Sequence, residues 1–278
     1  MANHSVDIYA LLQHTQRQRV SDGTTVPILT PNGARQLVIL WPQLGDFDSL
    51  EYAWWLQRER DRLQQSGIMV SAVGIGDRGS GKQFCQYTGF PPEQLFVDPN
   101  AALHQDLGLY EGLSATVGGL KPGQNAWLNL MLMCAGIGSP GTLAEVFRGY
   151  RGDRKAPQLI ADDETIHARP LPPFEGKFFR LAGGNGFQRP FELATLRLRN
   201  MAEVLGNWST YVPNAAHLTQ RGGTFWFDAQ GSLLYEHRDR GILGFAENMS
   251  CPLGFVDSPS CHDSDRHESD RGSASPAT

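Results

Sequence analysis

The stretch from Gly67 to Ile75, Gly-Ile-Met-Val-Ser-Ala-Val-Gly-Ile, is almost continuously apolar and too short for a buried helix. Such a run fits a parallel strand covered on both faces, which requires helices above and below it. Its surroundings supply them. A strand-like run Gln36–Trp41 breaks at Pro42 and leads through Asp46-Phe47-Asp48-Ser49 into a helical pattern over 49–65. Ser49 is a candidate cap for that helix, with Asp48 favourable near its positive end. A helix over 81–88 stops at Gly89-Phe90-Pro91-Pro92, a third strand runs over 94–98, and Pro99 opens a short helix through Leu107. This alternation predicts a right-handed α/β sheet. Ile8, Leu11 and Leu12 place an N-terminal helix within 6–19, and Ser21-Asp22-Gly23 marks a turn after it.

From Gly112 to about Arg221 the pattern changes to helices near 124–135, 143–150 and 190–205, separated by Gly and Pro. Thr142 with Glu145 reads as a capping box, and Pro190 as a first-turn proline. Thr224–Phe227 and Leu233–Tyr235 flank Asp228-Ala229-Gln230-Gly231, the signature of a hairpin. The expected organisation is an N-terminal helical extension (1–20), a main domain (21–256) carrying an insertion at about 112–221, and a disordered tail (257–278) rich in Ser, Asp and His.

Twenty-four basic residues against 29 acidic ones leave a net charge of −5, with no cluster that would attract nucleic acid. No apolar run is long enough to cross a bilayer, and the start of the chain lacks a secretory pattern, so the expectation is a cytoplasmic protein. Cys85, Cys134, Cys251 and Cys261 are widely spaced, which argues for free thiols over a disulfide scaffold or a zinc site. No metal or cofactor is expected.

Several motifs fail on a single residue. Gly76-Asp77-Arg78-Gly79-Ser80-Gly81-Lys82 matches half of a phosphate-binding loop, but Gln83 stands where Ser or Thr must hold Mg²⁺. Ser139 lacks a nucleophile elbow because Pro140 follows it. His237, Arg238, Asp239 and Arg240 read as a solvated strand end.

Tyr87-Thr88-Gly89-Phe90-Pro91, Phe96-Val97-Asp98-Pro99-Asn100-Ala101-Ala102-Leu103 with Leu107-Gly108-Leu109, and Gln220-Arg221-Gly222-Gly223-Thr224-Phe225 occur in an order and spacing that resembles the peroxiredoxin-like 2 group of the AhpC/TSA thioredoxin-fold superfamily. The resemblance covers about residues 20–113 and 220–240. It implies a thioredoxin-like α/β fold with an N-terminal helical extension and a mostly helical insertion before the C-terminal hairpin.

The resemblance also implies a reactive thiolate at a helix N-terminus, in the pattern Pro-x-x-x-Thr-x-x-Cys. Here that spacing reads Pro42-x-x-x-Asp46-x-x-Ser49. A serine hydroxyl does not ionise at neutral pH or cycle through a sulfenic acid, and Asp46 adds negative charge where the chemistry wants positive. Cys85, in the region of a resolving cysteine in some relatives, is the best remaining thiol candidate, with Cys134 behind it. Trp54 and Trp55, neighbours on a helix that cannot both face one core, join Arg221 as candidate binding residues.

Two functional readings follow. The first is a non-peroxidatic binding, assembly or regulatory module with a protein partner, using the vacated pocket around Pro42, Asp46 and Ser49 as a contact surface. The second is an antioxidant oxidoreductase that uses Cys85 or Cys134.

Overall fold

A computed structural model describes residues 7–29, 33–154, 156–168, 171–181 and 189–256 of the chain. The tail expected to be disordered lies outside the described residues. Strands β1 (Gln16–Arg19), β2 (Thr25–Pro27) and β3 (Arg35–Gln43) open the fold. They follow helix α1 (Ile8–His14). Helices α2 (Phe47–Arg58) and α3 (Arg60–Gln65) lead to β4 (Ile68–Ile75), α4 (Arg78–Thr88), β5 (Leu95–Val97) and α5 (Ala102–Asp106).

The insertion contributes α6 (Pro122–Cys134), α7 (Thr142–Arg151), the two-residue strands β6 (Thr165–Ile166) and β7 (Phe174–Glu175), α8 (Lys177–Leu181), α9 (Glu192–Gly206) and α10 (Trp208–Tyr211). β8 (Gly223–Phe227) and β9 (Leu233–Arg238) close the sheet, whose order is β2-β1-β5-β4-β3-β8-β9. β3, β4 and β5 are parallel, while the flanking pairs are antiparallel. This is the mixed α/β arrangement that the sequence pattern predicts, and it is thioredoxin-like, as the resemblance implies.

The apolar strands are explained by the two cores they feed. Leu37, Ile39 and Trp41 of β3 enter one buried cluster, and Val38 and Leu40 enter the other. Trp226 and its neighbours Phe225 and Phe227 on β8 divide the same way. Trp41 is clasped by Phe84 and Phe90, each ring centroid 4.9 Å from its own.

The structure corrects several local readings. Residues 16–19 are a strand rather than helix: Thr15 turns the backbone extended, and Gln18 and Arg19 pair with Val97 and Phe96, with β2 outside them at the sheet edge. β3 does not stop at Pro42. It runs to Gln43, with the irregularity between Trp41 and Gln43 placing the proline, which has no N–H, where the ladder skips. The helix read over 49–65 is two helices meeting at Glu59, and its cap is Asp46, which accepts from Asp48 N.

Pro99 lies in the turn before α5, whose first contact is Asp98 accepting from Leu103 N. Thr142 is not a capping residue. Gly141, in the left-handed region, precedes the helix, and the Thr142 hydroxyl donates to Ile242 O. Pro190 stands before the α9 cap residue Phe191 rather than in its first turn. Cys251 is disulfide-bonded rather than a free thiol.

The insertion is bound to the main body by charge as well as by apolar packing. Arg197 on α9 makes a bidentate pair with Glu51 on α2, at 2.7 and 3.0 Å, and reaches Glu145 on α7 at 2.5 Å. Leu193, Leu196 and Val204 of α9 share the core cluster of Trp55 and Leu56.

Gly222 is the tightest point between the hairpin and the main strand. A Cβ there would lie 2.1 Å from Leu40 O and 3.0 Å from both Pro42 Cδ and Asp239 Oδ2. Gly222→Ala is expected to destabilise the fold by about 2–3 kcal/mol, because backbone has to move to admit the methyl group. Thermal melting checks this, with an expected fall in Tm of roughly 5–10 °C.

Candidate functional site

The site is assembled where the C-terminal end of β3 turns into α2, opposite the residues that precede and follow the closing hairpin. Gln43 ends the strand, and Ser49, one turn into α2, points its hydroxyl back to it: Oγ donates to Gln43 O at 2.9 Å. Asp46 caps α2 through Oδ1, 3.0 Å from Asp48 N, and turns Oδ2 to Arg221 Nη2 at 2.5 Å. Asp48 accepts from Arg221 Nη1 at 3.1 Å through Oδ2 and from Leu243 N at 2.7 Å through Oδ1. Arg221, Asp48 and Ser49 are fully buried, and Asp46 nearly so.

One guanidinium therefore serves two carboxylates directly and stands near a third, Asp239, which is also buried. Burial, and then the charge of Asp46, push Asp48 well above the usual carboxylate range, with Arg221 pulling the other way. Burial likewise pushes Asp239 up to about 7, opposed by Arg221 and the Gly222 backbone. Both Asp48 oxygens accept hydrogen bonds, whereas Asp239 Oδ1 has no hydrogen-bond partner among the described residues. The extra proton is best held by Asp239. Burial raises the opposing cost for Arg221, but its carboxylate neighbours outweigh it and keep the guanidinium charged.

Neither described free thiol is activated. Cys85 on α4 is buried among apolar side chains, and burial followed by the charge of Glu93 pushes it up to about 12. Cys134, the last residue of α6, is half-buried and is pushed up to about 11, by burial first and then by Asp46. Arg221 pulls Cys134 down and Asp48 pushes it up, so this cysteine stands within electrostatic reach of the α2 site. The two thiols differ in this respect, since no group of the site acts on Cys85.

Trp55 is in the core, and Trp54 is half-buried against it. Their rings meet edge-on at 5.4 Å, and Arg58 lies 5.6 Å over one and 5.8 Å over the other. Arg221, with no exposed surface, is not a group that a partner can touch. The same holds for Ser49, so the contact surface expected around Pro42, Asp46 and Ser49 is closed, because Arg221 fills it from the hairpin side. A cavity of about 720 Å³ lies next to it, lined by Glu111, Asn125, Asn129, His217, Thr219 and Gln220 among others. Another, of about 710 Å³, lies at the other end of the parallel strands, beside Leu63, Ile68 and Phe96, away from this chemistry.

The other sequence candidates resolve into structural roles. Asp77 caps α4 in a capping box with Ser80, so the helix N-terminus that a phosphate would use is already occupied. Ser139 Oγ accepts from Ile242 N and bonds the Thr142 hydroxyl. Asp239 was read as part of a solvated strand end and is instead buried. Among the described residues there is no metal-ligating cluster and no helix long and apolar enough to cross a membrane.

A family model for the AhpC/TSA antioxidant enzyme matches residues 55–241, more than half of the chain. This protein belongs to the AhpC/TSA family. No curated protein and no solved structure matches it. The matched span runs from the end of α2 through β9, taking in β4, β5, β8 and β9 with α3 to α10, and begins after β3.

Two results are expected from the buried cluster. Arg221→Met leaves Asp46 and Asp48 facing each other without a cation and is expected to destabilise the fold by about 3–5 kcal/mol, read by chemical denaturation. An unfolded aspartate ionises near 3.9, while folded Asp239 keeps its proton to about 7. The folded state therefore holds the extra proton between these values, and stability declines as pH rises from about 4 to about 7. Asp239→Asn is expected to flatten that decline, so that its Tm at pH 8 equals or exceeds that of the wild type.

Proposed function

We propose that this protein is a non-peroxidatic member of the AhpC/TSA family that acts as a binding, assembly or regulatory module. The observation that carries the reading is the chemistry at the start of α2. Where the family pattern calls for a thiolate stabilised by a helix N-terminus, this chain has a buried Ser49 whose proton is directed at Gln43 O. The nearby cation is already neutralised by Asp46 and Asp48. A peroxide would meet neither a nucleophile nor a free positive charge.

The second reading, an antioxidant oxidoreductase, rests on Cys134. It is half-buried, close enough to the Asp46–Arg221–Asp48 cluster to feel each charge, and positioned by α6 rather than by the expected motif. Its raised pKa works against it, because only a small fraction is thiolate at neutral pH.

Peroxide consumption with a dithiol reductant separates the two. No turnover above the buffer rate is expected for the wild type. Turnover that Cys134→Ser or Cys85→Ser abolishes would establish the second reading. Alkylation by iodoacetamide gives an independent check: the Cys134 rate is expected to keep climbing up to about pH 11, instead of levelling near the ordinary thiol range.

A further inference from the structure

Helix α6 divides its inward side between two tasks. Ala126 and Leu130 pack against the main core and Met133 lies in a smaller one, whereas Asn125 and Asn129, also buried and one turn apart, hold a loop. Asn125 Oδ1 accepts from Val117 N at 2.9 Å, and its Nδ2 donates to Leu120 O at 3.4 Å. Asn129 Nδ2 donates to Ala115 O at 3.0 Å. Residues 114–120 are exposed and have no helix or strand, so these amides fix a backbone that apolar packing does not. The start of the loop is tied in the same way. Thr219 Oγ1 donates to Glu111 O at 2.9 Å, and Gln220 Nε2 to Tyr110 O at 3.0 Å. The loop, α6 and residues 214–220 enclose the cavity of about 720 Å³. That lies within the roughly 300–1,000 Å³ of small-ligand sites.

Apolar side chains at the two asparagine positions would let the loop collapse onto the body, as close packing favours. The amides hold it off, and one of their atoms is left without a bond. Asn129, 4% exposed, lines the cavity, and its Oδ1 has no hydrogen-bond partner among the described residues. A buried acceptor of this kind calls for a donor. Gln105, Ser114 and Thr116 add amide and hydroxyl groups to the wall, and Leu113, Pro122 and Ala126 add apolar surface. Glu111 brings a carboxylate, and among the described residues no Lys or Arg lines the space. Lys121, between the lining residues Leu120 and Pro122, is not itself part of the wall.

We propose that this cavity binds an uncharged, hydroxyl-rich small molecule of the sugar or polyol class. A hydroxyl both donates and accepts, so it suits a wall of amides and hydroxyls and supplies the donor that Asn129 Oδ1 lacks. The carbon faces of such a molecule cover the apolar part of the wall. A phosphate or carboxylate would meet Glu111 with no cation to hold it. A wholly apolar ligand would leave the amides buried and unpaired. The proposal rests on the reading of the protein as a binding module and names what it holds, beside the sealed start of α2 rather than in it. The two are joined through the backbone. Thr219 and Gln220 line the cavity, Arg221 follows them, and its Nε donates to Thr219 O at 3.2 Å.

Saturation-transfer NMR on the full chain tests it, with glucose, galactose, ribose, sorbitol and maltose as neutral probes and with glucose 6-phosphate and putrescine as charged ones. Transfer is expected to at least one neutral probe and is expected to be unaffected by added salt, since no charge on the ligand is there to be screened. Ser114→Trp fills the cavity from its exposed side and is expected to abolish the transfer with Tm unchanged. Asn129→Leu removes the acceptor and is expected to raise the Kd roughly 10-fold, the loss of one hydrogen bond. Transfer to none of the neutral probes overturns the proposal, as does transfer confined to glucose 6-phosphate or putrescine. So does transfer that Ser114→Trp leaves intact, or a Kd that Asn129→Leu leaves unchanged. The peroxide assay judges the module reading separately: turnover together with sugar binding removes that reading and leaves this site standing, whereas no turnover and no binding removes this site alone.

Discussion

Arg221 is the residue around which the two halves of the main domain close. It leaves the chain immediately before β8, and its guanidinium reaches across to the cap of α2 and to Asp48 in the first turn. Asp48 in turn holds the backbone of Leu243 beyond the hairpin. Three segments far apart in sequence are thereby tied to one buried charge, in a space where water cannot substitute for a missing partner. A cation in such a place must be matched by anions, and the anions by the cation or by protons. Asp239 completes the balance by keeping its proton to about 7.

The same constraint bears on chemistry. A helix N-terminus is a favourable position for a thiolate because its N–H groups are unpaired and its dipole is positive. In this chain Asp46 accepts the hydrogen bond and supplies the negative charge, while Ser49 donates inward. At the start of α2 these groups form a structural joint. The remaining free thiols sit where burial favours the protonated form. Beyond the joint, the Glu51–Arg197–Glu145 chain extends the ionic wiring from α2 into the insertion, so the insertion is held by the same helix that Asp46 caps.

Much of the sheet was legible because its signals are local. The alternation of apolar strands and helices located β3, β4, β5 and the β8–β9 hairpin, and period-two packing explains why β3 and β4 read as unbroken apolar runs. Caps were harder. Asp46, Asp48 and Ser49 are all good capping types within four positions, and the choice of Asp46 depends on Arg221 standing on its other side. β1 was misread for a similar reason: Gln16-Arg17-Gln18-Arg19 has no strand signal of its own and becomes one by pairing with β2 on one side and β5 on the other. Asp239 looked solvated among charged neighbours, because nothing adjacent in sequence reveals that Arg221 lies beneath it.

By itself the sequence determined the fold class, the succession of strands and helices along the chain, and the absence of cysteine from residues 42–49. These depend on residue type and spacing, which are properties of the chain alone. Tertiary structure decided that the start of α2 is sealed rather than open, that Asp46 and Asp48 share one guanidinium with Asp239 nearby, and that α6 turns Asn125, Asn129 and Met133 in and Trp127 and Met131 out. Each of these is a matter of which distant groups share a volume from which water is excluded. That exclusion sets both the charge a buried group can carry and the face a helix leaves uncovered.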